Sequence, residues 1–165
     1  MRVINRLGIV FDHILDYTAI FSGVLVILLM IGVVANVSAR SFGSSIIGTE
    51  EVSEYFLLWL TFAGTAWVLK RGKHVMIDVF TNRFSPKVAI ALNIALALIA
   101  AVIFIFIFWY GLMSSLHYIQ TKVYLPQVLK PLRGVVYIIV PIGCLLLAIQ
   151  LLRSVYNGFT SLMKR

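Results

Sequence analysis

The segment that decides the fold is TEEVSEYFLLWLTFAGTAWVLKRGK, residues 49–73. Three of the chain's six acidic residues stand at its start, three basic residues stand at its end, and the 15 residues 55–69 between them carry no charge. At about 1.5 Å per residue this uncharged part extends roughly 22 Å, which is less than the hydrocarbon thickness of about 30 Å. A helix that crosses the membrane and ends at Leu69 must therefore begin near Glu50. We predict a transmembrane helix over 50–69 with its glutamates outside and its bases inside.

The overall composition agrees with a membrane protein. Of 165 residues, 61% are hydrophobic and 12% are charged, which is too apolar for a soluble domain of this length. The single cysteine, Cys144, excludes an intrachain disulfide and is expected to be a packing residue. The net charge of +8 comes from bases at the ends of apolar segments, so it indicates membrane topology rather than nucleic-acid binding.

The hydrophobic pattern predicts an all-α integral membrane protein with four transmembrane helices in one domain, 1–165. The predicted spans are about 17–39, 50–69, 88–115 and 134–152, and short interfacial helices are expected at 1–16 and 75–84. A cleaved signal peptide is the competing interpretation of the first span, but its 23 uncharged residues exceed the usual signal core of about 7–15. Pro141 is expected to kink the last span.

The distribution of basic residues predicts that both termini are cytoplasmic. This topology leaves ten bases inside and four outside. The inside set is Arg2, Arg6, Lys70, Arg71, Lys73, Arg83, Lys87, Arg153, Lys164 and Arg165, and the outside set is Arg40, Lys122, Lys130 and Arg133.

Polar residues at the outer ends of the first two spans are candidates for helix–helix contacts. Gly32, Asn36 and Arg40 share one helix face by their spacing of four. Asn36 either finds a hydrogen-bond partner in the protein or is hydrated at the headgroup level, since lipid offers no partner. Arg40 is the nearest outer cation in sequence to the glutamates, so we expect it to form an ion pair with one of them. The candidate partners are Glu50, Glu51 and Glu54.

The second span has two distinct faces. Thr49 is the expected N-cap, and the alternative to an ion pair for Glu50 and Glu51 is that the helix dipole favours carboxylates in the first turn. A polar stripe is expected to face protein, and the two tryptophans of the span point the other way. The stripe consists of Glu50, Glu54, Thr61 and Thr65 with Gly64 at its edge, and the tryptophans are Trp59 and Trp67.

The chain lacks a sequence pattern for catalysis, so we do not expect an enzyme. His13, His74 and His117 lie at predicted helix ends or in loops, which leaves no facing pair for a haem in mid-membrane. There is no phosphate-binding loop, zinc spacing or nucleophile elbow. The spans contain no ionisable residue near the midplane and no broken helix pair of the kind that forms transport sites.

Four motifs in this order resemble the small membrane subunit of tripartite ATP-independent periplasmic (TRAP) transporters. The motifs are Asn36-x-x-x-Arg40, Glu50-Glu51-x-Ser53, Gly64-Thr65-Ala66 and Arg71-Gly72-x-His74-Val75-x-Ile77-Asp78. The resemblance covers 36–78 in motif and most of the chain in architecture. One departure is that Gly48 and Thr49 stand where the family is expected to have an aromatic residue.

The resemblance implies a subunit of a sodium-coupled symporter in a bacterial inner membrane that imports an organic acid, such as a C4-dicarboxylate, a keto acid or sialic acid. A large membrane subunit would hold the substrate and the sodium, with no cofactor in this chain, and a periplasmic binding protein would deliver the substrate. The implied structural and interface residues are Asn36, Arg40, Glu50, Glu51, Glu54, Gly64, His74 and Asp78. The expected docking residues for the binding protein are Lys122, Lys130 and Arg133, which would attract an acidic surface. The alternatives are a small membrane subunit of a redox enzyme and a stand-alone channel or exporter.

Overall fold

A computed structural model of the chain describes residues 2–44, 46–71 and 86–163, and nearly all of these are helical. Its helices are α1 (Arg2–Ser41), α2 (Thr49–Lys70), α3 (Pro86–Gln120), α4 (Arg133–Tyr137) and α5 (Ile139–Met163). Within these residues the only extended pairing is an isolated bridge between Tyr124 and Leu132. Four stretches are long and apolar enough to cross a membrane: Gly8–Ser41, Thr49–Lys70, Leu92–Gln120 and Arg133–Thr160. The predicted all-α membrane fold is therefore confirmed.

The N-terminal region differs from the expected separate interfacial helix. α1 is one continuous helix of 40 residues, which corresponds to a length of about 60 Å. No proline interrupts the chain before Pro86, so the backbone hydrogen bonding continues into the span. In addition, Asp12 and Asp16 are held by cations of other helices, which keeps this part of α1 against the bundle. The interfacial helix expected at 75–84 lies outside the described residues.

The turn between α1 and α2 contains two glycines in the left-handed region. After α1, the N–H of Ser44 donates to the carbonyl of Ala39, and Gly43 has a φ of 77°. This arrangement is a Schellman-type helix end, which favours glycine. At the start of α2, Gly48 is the N-cap with a φ of 87°. The prediction of Thr49 as N-cap is wrong, because its hydroxyl donates to the carbonyl of Ile46 instead.

The fourth membrane-crossing stretch consists of α4 and α5, which meet at Ile138. Pro141 has no N–H to donate to the carbonyl of Tyr137, and the helix is interrupted next to that residue. The predicted irregularity in this span is thus present. Pro141 itself is fully buried and packs at Gly111 of α3.

The long helices pack mainly in the order α1, α2, α5, α3. Two close approaches depend on glycine. A Cβ at Gly143 of α5 would lie 2.7 Å from the carbonyl oxygen of Phe62 in α2, and a Cβ at Gly134 of α4 would lie 2.6 Å from the carbonyl oxygen of Ser115 in α3. Neither helix pair could keep its present spacing with a larger residue at the glycine.

The helices form an open array with little interior. Its interior includes two small clusters of buried apolar side chains, one around Leu15, Ala66 and Leu147 and the other around Ala97, Ala101 and Leu151. Much larger apolar surfaces of α1 and α3 are exposed. A membrane protein can leave such surfaces to lipid or to other subunits. We call the end with residues 42–48 and 121–132 the loop end, and the end with Asp12, Lys70 and Arg153 the terminal end.

Candidate assembly surface and docking loop

Asn36 organises the turn at the loop end. It is buried, with 9% of its surface exposed, and its Oδ1 accepts a hydrogen bond of 3.0 Å from the backbone N–H of Ile46. A backbone donor that would otherwise lack a partner in the turn is therefore paired. Of the two interpretations of Asn36, the structure supports the one with a protein partner.

The glutamates of α2 hold the loop that connects α3 to α4. The Glu51 carboxylate accepts hydrogen bonds from the N–H groups of Val128, at 2.7 Å, and Leu129, at 3.1 Å. The Glu54 carboxylate accepts a hydrogen bond of 3.3 Å from Nε2 of Gln127, and the hydroxyl of Tyr55 donates to Oε1 of the same glutamine. The loop is consequently attached to the start of α2 by charge-assisted hydrogen bonds.

Arg40 lies beside two glutamates but is not paired with them. It lines a cavity of about 390 Å³ together with Asn36, Glu50 and Glu51. The ion pairs found among the described residues are Lys70–Asp16 and Arg153–Asp12, and neither includes Arg40. The expected ion pair of Arg40 with a glutamate is therefore absent from the described residues. Glu51 is held by the loop amides, and both Arg40 and Glu50 are exposed to solvent, where an ion pair gains little.

The polar face and the tryptophan face of α2 lie on opposite sides of the helix, as the sequence indicates. Within this chain, however, it is the tryptophan face that contacts the other helices. Trp59 donates through Nε1 to the carbonyl of Val136 at 3.0 Å, and Trp67 donates to Oδ1 of Asp16 at 3.2 Å. The tryptophan face thus contacts the other helices. The opposite face is mostly exposed, with Glu50, Glu54, Leu57 and Thr61 on it.

The threonines on this outer face do not require a protein partner. The Thr61 hydroxyl donates to the carbonyl of Leu57 at 2.7 Å, and the Thr65 hydroxyl donates to the carbonyl of Thr61. Such bonds to the preceding turn satisfy the hydroxyls within the helix. The expectation that the polar stripe faces protein is accordingly wrong for the exposed Thr61 within this chain, whereas Glu54 contacts Gln127 and Gly64 lies against α1.

Two ion pairs at the terminal end were not predicted from the sequence. Arg153 donates to both carboxylate oxygens of Asp12, at 2.6 and 3.0 Å, and Lys70 contacts Asp16 at 2.7 Å and the carbonyl of Asp12 at 2.9 Å. These contacts connect α1 to α2 and to α5. The sequence signal that could have predicted these pairs was the spacing of four between Asp12 and Asp16, which places both on one helix face, together with the bases at the ends of two later spans.

The remaining interface residues have different surroundings. A Cβ at Gly64 would lie 3.4 Å from the Ser22 hydroxyl of α1, whereas a Cβ at Gly32 would meet nothing within 4 Å. Gly64 is thus part of the contact between α1 and α2, and Gly32 is on a face that the described residues leave open. His74 and Asp78 lie outside the described residues.

The three expected docking bases are not equivalent. Lys122 and Lys130 are exposed in the loop, with φ values of 49° and 42°. Arg133 is only partly exposed, and its guanidinium carbon lies 4.6 Å from the ring centre of Tyr118 and 5.7 Å from that of Tyr137. Its stacked position distinguishes Arg133 from the two exposed lysines, and its docking role stays a prediction.

The described residues contain no group of three or more side chains that could hold a metal ion. Four apolar helices with a small interior and open apolar faces define a multi-pass membrane protein. Residues 29–161 match the model of the family described as "Tripartite ATP-independent periplasmic transporters, DctQ component". The chain belongs to this family, the small permease component of TRAP transporters.

Two curated proteins are similar to the chain. The ectoine TRAP transporter small permease protein TeaB of Halomonas elongata is 28% identical over 156 residues, which cover 94% of this chain and 80% of that protein. A putative TRAP transporter small permease protein of Haemophilus influenzae is 38% identical over 60 residues, or 36% of this chain and 37% of that protein. The resemblance suggested by the motifs at 36–78 is confirmed.

Proposed function

We propose that this chain is the scaffold subunit of a sodium-coupled TRAP importer in a bacterial inner membrane. In this role it packs against the large membrane subunit, which binds the substrate and the sodium, and it helps to dock the periplasmic binding protein. The observation that carries the proposal is the family match over residues 29–161. The open helix array supports it, because its exposed apolar faces provide area for a large membrane partner.

The substrate is proposed to be a small organic solute selected by the partner subunits. An organic acid such as a C4-dicarboxylate, a keto acid or sialic acid is the class inferred from the motifs. The relative from Halomonas is named for ectoine, so the family is not restricted to those acids. In the proposed role, Asn36 and the glutamates of α2 stabilise the conformation of the loop end and do not bind substrate.

The test is copurification followed by reconstitution. We expect the tagged chain to copurify with a large membrane subunit of the TRAP type, and uptake into proteoliposomes to require both subunits and the binding protein. Transport by this chain alone would contradict the scaffold role and favour the channel or exporter. A haem spectrum in the purified protein would favour the redox subunit.

Docking of the binding protein is proposed to use the exposed bases Lys122 and Lys130. Reversing both charges, Lys122→Glu with Lys130→Glu, should raise the half-saturating concentration of binding protein about three- to tenfold, because rim charges act mainly on association. The double change to arginine is the matched control and should leave this concentration unchanged. An unchanged value for the glutamate variant would remove these two residues from the docking surface.

A further inference from the structure

Arg133 is a cation without an internal anion at the membrane boundary. It begins α4 at the loop end, and its backbone N–H donates to the carbonyl of Val123. Neither of the two ion pairs of the described residues includes it. Its Nε is buried and has no hydrogen-bond partner among them. A guanidinium in this position is stabilised when an anion reaches it.

Arg133 lines a small cavity of about 190 Å³ whose surface is mostly apolar, so the guanidinium is its charged group. Tyr118 and Tyr137 lie against the guanidinium, and the lining of the cavity also includes two serines. These serines are Ser114 and Ser115. The guanidinium and the exposed hydroxyl of Ser114 are donors that suit phosphate oxygens, whereas Ser115 is buried. No carboxylate stands among the described lining residues, so nothing there repels an anion.

An apolar groove continues from this cavity along α3. A second cavity of about 310 Å³ is lined by Phe106, Ile107 and Tyr110, and it shares Gly111 and Ser114 with the first. The thirteen residues from Phe106 to Tyr118 span twelve helical rises, or about 18 Å, close to the thickness of about 15 Å of one hydrocarbon leaflet. A polar head and a connected apolar groove of leaflet length match the shape of a phospholipid.

We propose that this surface binds one glycerophospholipid, with its phosphate at Arg133 and an acyl chain along Phe106 to Gly111. Because the described lining offers no carboxylate for an ammonium group, an anionic headgroup such as phosphatidylglycerol should bind more tightly than phosphatidylethanolamine. The site depends on the membrane location of the chain and does not depend on the scaffold role in transport.

The experiment is native mass spectrometry of the delipidated full-length chain with defined lipids. We expect one phosphatidylglycerol to bind at least about tenfold more tightly than diacylglycerol with the same acyl chains, because the phosphate supplies the charged hydrogen bonds. Arg133→Gln should abolish this preference, and Arg133→Lys should retain it in part. Lys122→Gln, which removes a nearby exposed charge, is the control and should change binding less than about twofold.

Two further arms separate the phospholipid from other occupants. Ser114→Leu fills the junction of the two cavities and should weaken phosphatidylglycerol binding while the charge of Arg133 is kept. Glycerol phosphate at the same concentration should not compete, since it lacks the acyl chain; full competition would show that the site takes a free phosphate and would overturn the lipid proposal. Helicity and thermal unfolding without lipid establish that each variant is folded.

Binding of phosphatidylglycerol that is equal in folded Arg133→Gln and in the unchanged protein would also overturn the proposal. If the cavity instead receives a carboxylate of the large subunit, the isolated chain will show no phosphate-dependent preference at Arg133. That result would exclude the lipid site.

Discussion

At the scale of single residues, the carboxylates of this chain act as local connectors. Glu51 accepts hydrogen bonds from two backbone N–H groups of the loop at 121–132, and Asp12 accepts hydrogen bonds from both terminal nitrogens of Arg153. The first contact orders a loop, and the second connects the first long helix to the last. The effect of removing each contact can therefore be predicted separately.

Glu51→Ala should loosen the loop without unfolding the helices. The N–H groups of Val128 and Leu129 would lose their acceptor, and because these bonds are exposed the effect should be about 1 kcal/mol, or about fivefold faster amide exchange at these positions. Hydrogen exchange of the chain in detergent measures this. Glu50→Ala is the matched control on the same turn. Equal exchange rates in both variants would contradict the role of Glu51 in holding the loop.

The ion pairs predict where coupling energy is found. A double-mutant cycle with Asp12→Asn and Arg153→Gln should give about 1 kcal/mol of coupling in thermal stability, because the contact is bidentate but about one-third exposed. The same cycle with Arg40→Gln and Glu50→Gln should be close to additive, since these residues form no ion pair in the described structure. Clear coupling in the second cycle with none in the first would contradict the arrangement of charges described here.

At the scale of helices, glycines decide which surfaces are already occupied within the chain. Gly143 lies against the backbone of Phe62, whereas Gly32 has nothing within 4 Å of the position of a Cβ. The first glycine serves the contact between α2 and α5. The second lies on an open face of α1, which is available to another subunit.

Two substitutions separate these roles. Gly143→Ala should destabilise the isolated chain by about 1–3 kcal/mol, because the new methyl group overlaps the α2 backbone. Gly32→Leu should leave the isolated chain as stable as before and should lower the yield of complex with the large subunit. Thermal unfolding and copurification are the two measurements. If Gly32→Leu had no effect on complex yield, the open face of α1 would be assigned to lipid.

At the scale of the whole molecule, the distribution of basic residues predicts the topology. From the ten-to-four division of bases, we predict cytoplasmic termini and a periplasmic loop end. A cysteine placed at Lys122 should react with an impermeant reagent in spheroplasts, and one placed at Lys73 should not. The native Cys144 is fully buried in α5, so it should contribute little background. The opposite labelling pattern would invert the proposed orientation.

The amino-acid sequence alone was enough for the features that depend on local composition. Runs of apolar residues bounded by charges determine four membrane-crossing helices, since backbone groups in lipid have to be satisfied within each segment. Pro141 marks the irregular fourth span through its missing N–H. The motifs at 36–78 also identified the family.

Pairing between distant residues required the three-dimensional arrangement. Nothing near Glu51 in sequence indicates that its partners are the amides of Val128 and Leu129. Arg40 was predicted as the partner because it is close in sequence, but closeness in sequence does not establish contact in space. Asp12 was assigned to an interfacial helix, yet it pairs with Arg153. Such contacts depend on how the helices pack and on which glycines let them approach, and neither is encoded in the pattern of any single segment.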